Sequence, residues 1–180
     1  TGAIPDPDEG TTFELSFLRL GNLDGYVKES HRTSEVGEEA NNSATTFNVG
    51  DAEFDKQMMG ILPFDTSALP ASATIVSATL ELTRAGKIGN AAIGLGDLVL
   101  DLRCPTSPDG PFYGTDWGVD LADLQAFADF SAIATGVPYP TTNFDVVTFD
   151  IDPAGFDGIA KALGSATQPH TQARVRFTNP

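Results

Sequence analysis

Apolar side chains recur at every second position in much of this chain. Val76, Ala78, Leu80 and Leu82 alternate with Ser77, Thr79, Glu81 and Thr83, and Phe13, Leu15 and Phe17 alternate with Glu14 and Ser16. The same rhythm holds in Leu98, Leu100 and Leu102, in Val147, Phe149 and Ile151, and in Ala173, Val175 and Phe177. Successive side chains of a strand point to opposite faces, so each run predicts a strand with one buried face. The expected strands are 12–20, 23–29, 45–49, 56–65, 73–84, 98–103, 147–151 and 173–177. Between them, 30–43 is polar and acidic and reads as a long exposed loop, Gly50-Asp51 as a turn, and 85–96 as a glycine-rich connection. Residues 104–118 read as a long loop rich in proline, glycine and aromatic side chains.

Helical spacing occurs twice. Leu121, Leu124, Gln125 and Ala128 predict a short helix over 120–128, capped by Asp120. Asp152-Pro153 is a strong helix start, Asp at the N-cap and Pro at the first helical position. Phe156, Ile159, Ala160 and Leu163 then fill one face of a helix over 153–163, with Gly164 ending it. Residues 1–11 hold two prolines and several acids and read as an extended arm; 12–180 read as a single, mainly β domain.

The stretch 60–84, GILPFDTSALPASATIVSATLELTR, joins two apolar runs by a hard corner. Asp65 and Ser67 can bond nearby backbone N–H groups, and Pro70 donates none, so neither strand runs through it. PFDTSALPASATIVSATLEL resembles the central signature of the DNRLRE-type domain. Asp24-Gly25-Tyr26-Val27, Thr45-Thr46-Phe47-Asn48-Val49-Gly50-Asp51 and TQARVRFT at 171–178 agree in order, so the resemblance spans roughly 13–178. It departs at Gln57-Met58-Met59, where an arginine is usual in that family. The resemblance implies an all-β fold, a two-sheet antiparallel jelly-roll sandwich with one or two short helices. It also implies a secreted protein, placed at the cell surface or in a glycan-degrading assembly. Thr1 in place of a starting Met, with no signal peptide, reads as a processed mature chain. Relatives continue beyond the TQ-x-R-x-R-F strand into one more strand, whereas here Asn179-Pro180 follow, leaving a sheet to be completed from elsewhere.

A formal charge of −15 argues against nucleic acid and against an anionic membrane surface, and no apolar run is long enough to span a bilayer. One cysteine, Cys104, cannot form an internal disulfide. Only His31 and His170 are near-neutral bases, both in stretches that read as loops, and no nucleophile elbow, phosphate loop or His-Glu-x-x-His motif occurs. With 25 acidic residues, a chance carboxylate pair is expected, so a glycosidase pair cannot be argued from number alone. The residues point away from an enzyme.

Hard cations want several oxygens converging from loops, which makes Ca²⁺ the plausible inorganic partner. Asp109, Asp116 and Asp120 are the first candidate cluster, because Gly110 lets carbonyls turn inward; Asp51/Glu53/Asp55 and Asp6/Asp8/Glu9 are others. Surface acids on an acidic protein need no ion at all. Phe112, Tyr113 and Trp117 in one loop, and Tyr139 in another, offer rings on which sugars stack; they can equally plug one end of a sandwich. Two functional expectations follow. One is a structural subunit of an extracellular filament or surface layer, its identical copies joined by donated strands in which Phe13, Leu15 and Phe17 fill successive pockets. The other is a carbohydrate-binding module of a secreted or cell-surface protein, with polysaccharide as its partner.

Overall fold

The computed structural model describes residues 12–21, 24–30, 37–41, 46–88, 94–103, 131–161 and 170–179. Among them, nine strands form two antiparallel sheets packed as an all-β sandwich: β1 (Gly25–Glu29), β2 (Gly37–Asn41), β3 (Gly50–Asp51), β4 (Gln57–Asp65), β5 (Thr79–Thr83), β6 (Leu98–Arg103), β7 (Ser131–Val137), β8 (Val146–Asp150) and β9 (His170–Phe177). The large sheet runs β2-β1-β4-β9-β6-β7, with β3 also on β4; the small sheet is β5-β8. Among the described residues the small sheet therefore has fewer strands than the large one.

Alternation decides what is inside. Leu62 on β4, Ala173, Val175 and Phe177 on β9, and Leu98, Leu100 and Leu102 on β6 meet Leu80, Val147 and Phe149 from the small sheet. The register sets Leu62 opposite Ala173 and Val175 opposite Leu100, so these side chains share one face. The other face of the large sheet is closed to solvent as well. Val27 pairs with Met59 and Ile61 with Arg174, and all four are buried. A strand buried on both faces shows no clean polar alternation. That accounts for the near-continuous apolar character of QMMGILPFD in β4.

The corner forms as its residues dictate. Asp65 Oδ1 accepts from the Ser67 N–H at 3.1 Å, and the Leu69 N–H donates to the Thr66 carbonyl at 3.0 Å. The buried Thr66 hydroxyl lies 2.7 Å from both the Thr171 hydroxyl and the Ala160 carbonyl, and the Ala160 N–H donates to Thr171 Oγ1 at 2.9 Å. Those bonds fasten the corner to the root of β9.

Several expectations need correcting. Residues 12–18 join no ladder; the isolated bridge from Arg19 to Phe64 and the Leu20–Pro63 backbone bond attach the end of this run to β4. The acidic stretch 30–43 is not all loop, since Glu38 and Glu39 lie in β2, opposite lysines that hold them there. Residues 46–49 enter no ladder, while Gly50 and Asp51, expected as a turn, pair with Met58 and Gln57 as β3. Of 73–84, only Thr79–Thr83 is laddered; the residues before it line a cleft together with residues 12–18. His170 opens β9 and is not in a loop. The helix expected over 153–163 is a single 3-10 stretch, Pro153–Gly158; Asp152 Oδ1 caps it at the Ala154 N–H, 2.8 Å, and Gly155 and Gly158 weaken any longer helix. β7 had no periodic signal. The arm at 1–11 and the helix expected at 120–128 lie outside the described residues.

Gly60 sits under the Phe47 ring, so a Cβ there would collide with ring atoms. Gly60→Ala is expected to force Phe47 off the core and to cost about 1–3 kcal/mol, read as a lowered urea midpoint with an unchanged slope. Phe47→Leu combined with it should recover part of the loss.

Candidate functional site

Residues 12–18 carry the strand pattern without the strand bonds. Phe13, Leu15 and Phe17 are half-buried, Glu14 and Ser16 exposed, and Leu18 is 88% exposed. The run forms one wall of a cleft of about 1110 Å³ whose floor includes Phe64, Leu80, Leu102, Ile151 and Ala173. The opposite wall is 72–81, where Val76 is 70% exposed. The expected assembly residues thus lie together, facing apolar side chains from both layers.

The root of this run is fixed. The Leu20 N–H donates to the Pro63 carbonyl at 2.9 Å, Arg19 bridges to Phe64, and the Arg19 guanidinium pairs with Asp24, itself only 1% exposed. A buried carboxylate needs a counter-charge. Asp24, singled out above only as part of a motif, therefore anchors the end of 12–18 to the large sheet.

β5 has one bonded edge. The Ala78 carbonyl accepts from the Ile151 N–H at 3.0 Å, and the Arg84 N–H donates to the Asp145 carbonyl at 3.0 Å, both toward β8. Backbone groups of a strand alternate in direction, so Ser77, Thr79, Glu81 and Thr83 direct theirs to the other edge. Among the described residues, β5 has no strand partner besides β8.

Of the aromatic residues expected to hold glycan, Phe112, Tyr113 and Trp117 lie outside the described residues. Tyr139 packs on Phe177 with ring centroids 5.5 Å apart, and its hydroxyl accepts from Arg84 Nε at 3.0 Å. Arg84 also donates to the Thr141 carbonyl at 2.6 Å and stacks on the same ring. Tyr139 thus closes the core beside a buried arginine. Asp109, Asp116 and Asp120 lie outside the described residues, as do Asp6, Asp8 and Glu9. Among the described residues, no three His, Cys, Asp or Glu side chains are grouped to hold a metal ion, Asp51, Glu53 and Asp55 included.

Charge that periodicity could not flag lies on the second face of the large sheet. Asp101, fully buried, accepts from Arg174 Nε at 2.8 Å and from Arg176 Nε at 2.9 Å. At the sheet's edge, Lys28 Nζ lies 2.5 Å from Glu39 Oε2, Tyr26 donates to Glu39 at 3.2 Å, and Lys56 pairs with Glu38. The hydrogen bond to Glu39 holds Lys28 above its ordinary pKa, against burial. The bond from Lys28 holds Glu39, and that from Lys56 holds Glu38, below the usual glutamate range.

No family model, curated protein or solved structure matches the chain.

Two outcomes are expected. Asp101→Ala removes the shared counter-charge from buried Arg174 and costs about 3–5 kcal/mol, measurable by chemical denaturation. The glutamate contribution at β2 is present above the unfolded glutamate pKa and is lost as pH falls through the lowered folded values. The lysine contribution is present below the unfolded lysine pKa and is lost as pH rises through the raised one. Amide protection in β2, corrected for the intrinsic pH dependence of exchange, should therefore fall below the glutamate range and in strong salt, by more than that of β4.

Proposed function

We propose that this protein is a structural subunit of an extracellular filament or surface layer, its copies joined by a donated β-strand. One observation carries the reading. An apolar run with strand alternation, residues 12–18, lies over an open cleft between the layers and enters no ladder. A segment with few backbone bonds is inexpensive to detach, and exchange of an identical segment between copies replaces its contacts with equal ones. Burying Phe13, Leu15 and Phe17 fully from water contributes about 5–8 kcal/mol of apolar transfer; they are already half-buried, so assembly adds only the remainder, less the entropy of ordering the run. The role is one of assembly and not of catalysis. The extracellular setting rests on the DNRLRE-type resemblance.

Truncation tests this, provided Arg19 is kept so that Asp24 retains its partner. A chain lacking residues 1–18 is expected to stay folded by circular dichroism and to form no fibres in electron microscopy. A peptide of residues 1–18 added in trans should bind it, and Phe13→Ser, Leu15→Ser and Phe17→Ser in that peptide should abolish binding. Fibres that persist without the segment would end the reading.

A further inference from the structure

We infer that the edge of the small sheet formed by Ser77, Thr79 and Glu81, which no other described strand pairs, is the acceptor for residues 13–17 of a second copy, with Ser16 opposite Ser77. This rests on the assembly reading for the source of the strand and adds the docking edge, the direction and the register.

The edge follows from the bonds already made. Even-numbered residues of 78–84 spend their backbone groups on β8, so Ser77, Thr79 and Glu81 turn theirs toward the cleft. An edge with an apolar flank is the template on which an extended segment adds as a strand. The chain's own run does not complete that addition. Its root is held on the large sheet by the Arg19–Phe64 bridge, the Leu20–Pro63 bond and the Arg19–Asp24 pair. Tied there, residues 12–18 line the cleft without reaching ladder spacing to β5. The same run from a neighbouring copy carries no tether to this large sheet and is free to close the gap.

Direction and register follow from the side chains. Every ladder in the described sandwich is antiparallel, and an antiparallel strand here must turn Phe13, Leu15 and Phe17 inward with Val76, Ala78 and Leu80. Three registers do this. One sets Glu14 opposite Glu81, and like charges directly opposite are destabilising. Another sets Phe17 opposite Thr74 and leaves Leu80 without an apolar partner. The third sets Phe17 over the exposed Val76, Leu15 against the small Ala78, Phe13 against Leu80 and Glu14 beside Thr79. It alone gives both Val76 and Leu80 an apolar partner while keeping Glu14 from standing opposite Glu81.

The test is a disulfide trap in full-length protein with Cys104→Ser. Ser16→Cys with Ser77→Cys should, on mild oxidation of assembled material, give a ladder of covalent multimers on a non-reducing gel. Ser16→Cys with Thr79→Cys, two residues out of register, should give far fewer. Multimers from the first pair support the inference, whereas preferential trapping of the second pair would overturn the register. A disulfide confined to single chains would overturn the inference and the assembly reading together. Fibres that still require residues 12–18, yet trap at neither pair, would overturn the acceptor edge and leave the assembly reading standing.

Discussion

β9 is buried on both faces except where Arg176 reaches the surface, and the rest of the sandwich is arranged to make that tolerable. Its even-numbered residues include Gln172, Arg174 and Arg176, its odd ones Ala173, Val175 and Phe177, and both sets lie against other parts of the protein. Odd residues are satisfied by packing. The arginines are not, and placing a guanidinium out of water is costly unless a carboxylate meets it with good geometry. Asp101 does so from the neighbouring strand, directly opposite Arg174 in register. The pairing also fixes register, because a one-residue slip between β6 and β9 would turn Asp101 toward the leucines and break both ion pairs.

β9 stands in the larger of the two described sheets. β4 and β6 flank β9 and extend the large sheet, whereas among the described residues the small sheet is β5 and β8. The cleft and the edge of β5 that no other described strand pairs both belong to this smaller sheet. Phe64, Leu80 and Ile151 are among the residues that line the cleft.

Strands with one wet face were legible in the sequence, because alternation is a direct readout of that environment. β5, β8 and the inward half of β9 belong here, as does the corner, whose Asp65, Ser67 and Pro70 act locally. What escaped depends on contacts distant in sequence. β2 reads as loop until Lys28 and Lys56 are set beside its glutamates. Residues 12–18 have the pattern of a strand, and nothing local reveals that Arg19 is tied to Asp24 and holds the run off the neighbouring edge. Asp101 looked like an ordinary outward residue of β6, and only the dry second face of the sheet gives it a role.

The corner's fastening has a consequence in time. Thr66 and Thr171 touch across 105 residues of chain, and the β4–β9 ladder spans similar distances along its length. Closing so long a loop must precede any reward from the contacts it brings together. β2 can pair with β1, and β1 and β3 with β4, while the chain is still short, but most of β4's second edge waits for β9, made much later. Folding of such a topology belongs to the slow end for single domains, about milliseconds to seconds. Through that interval β4 presents an apolar edge, so the half-made chain is the form in which this protein is most exposed to joining the wrong neighbour.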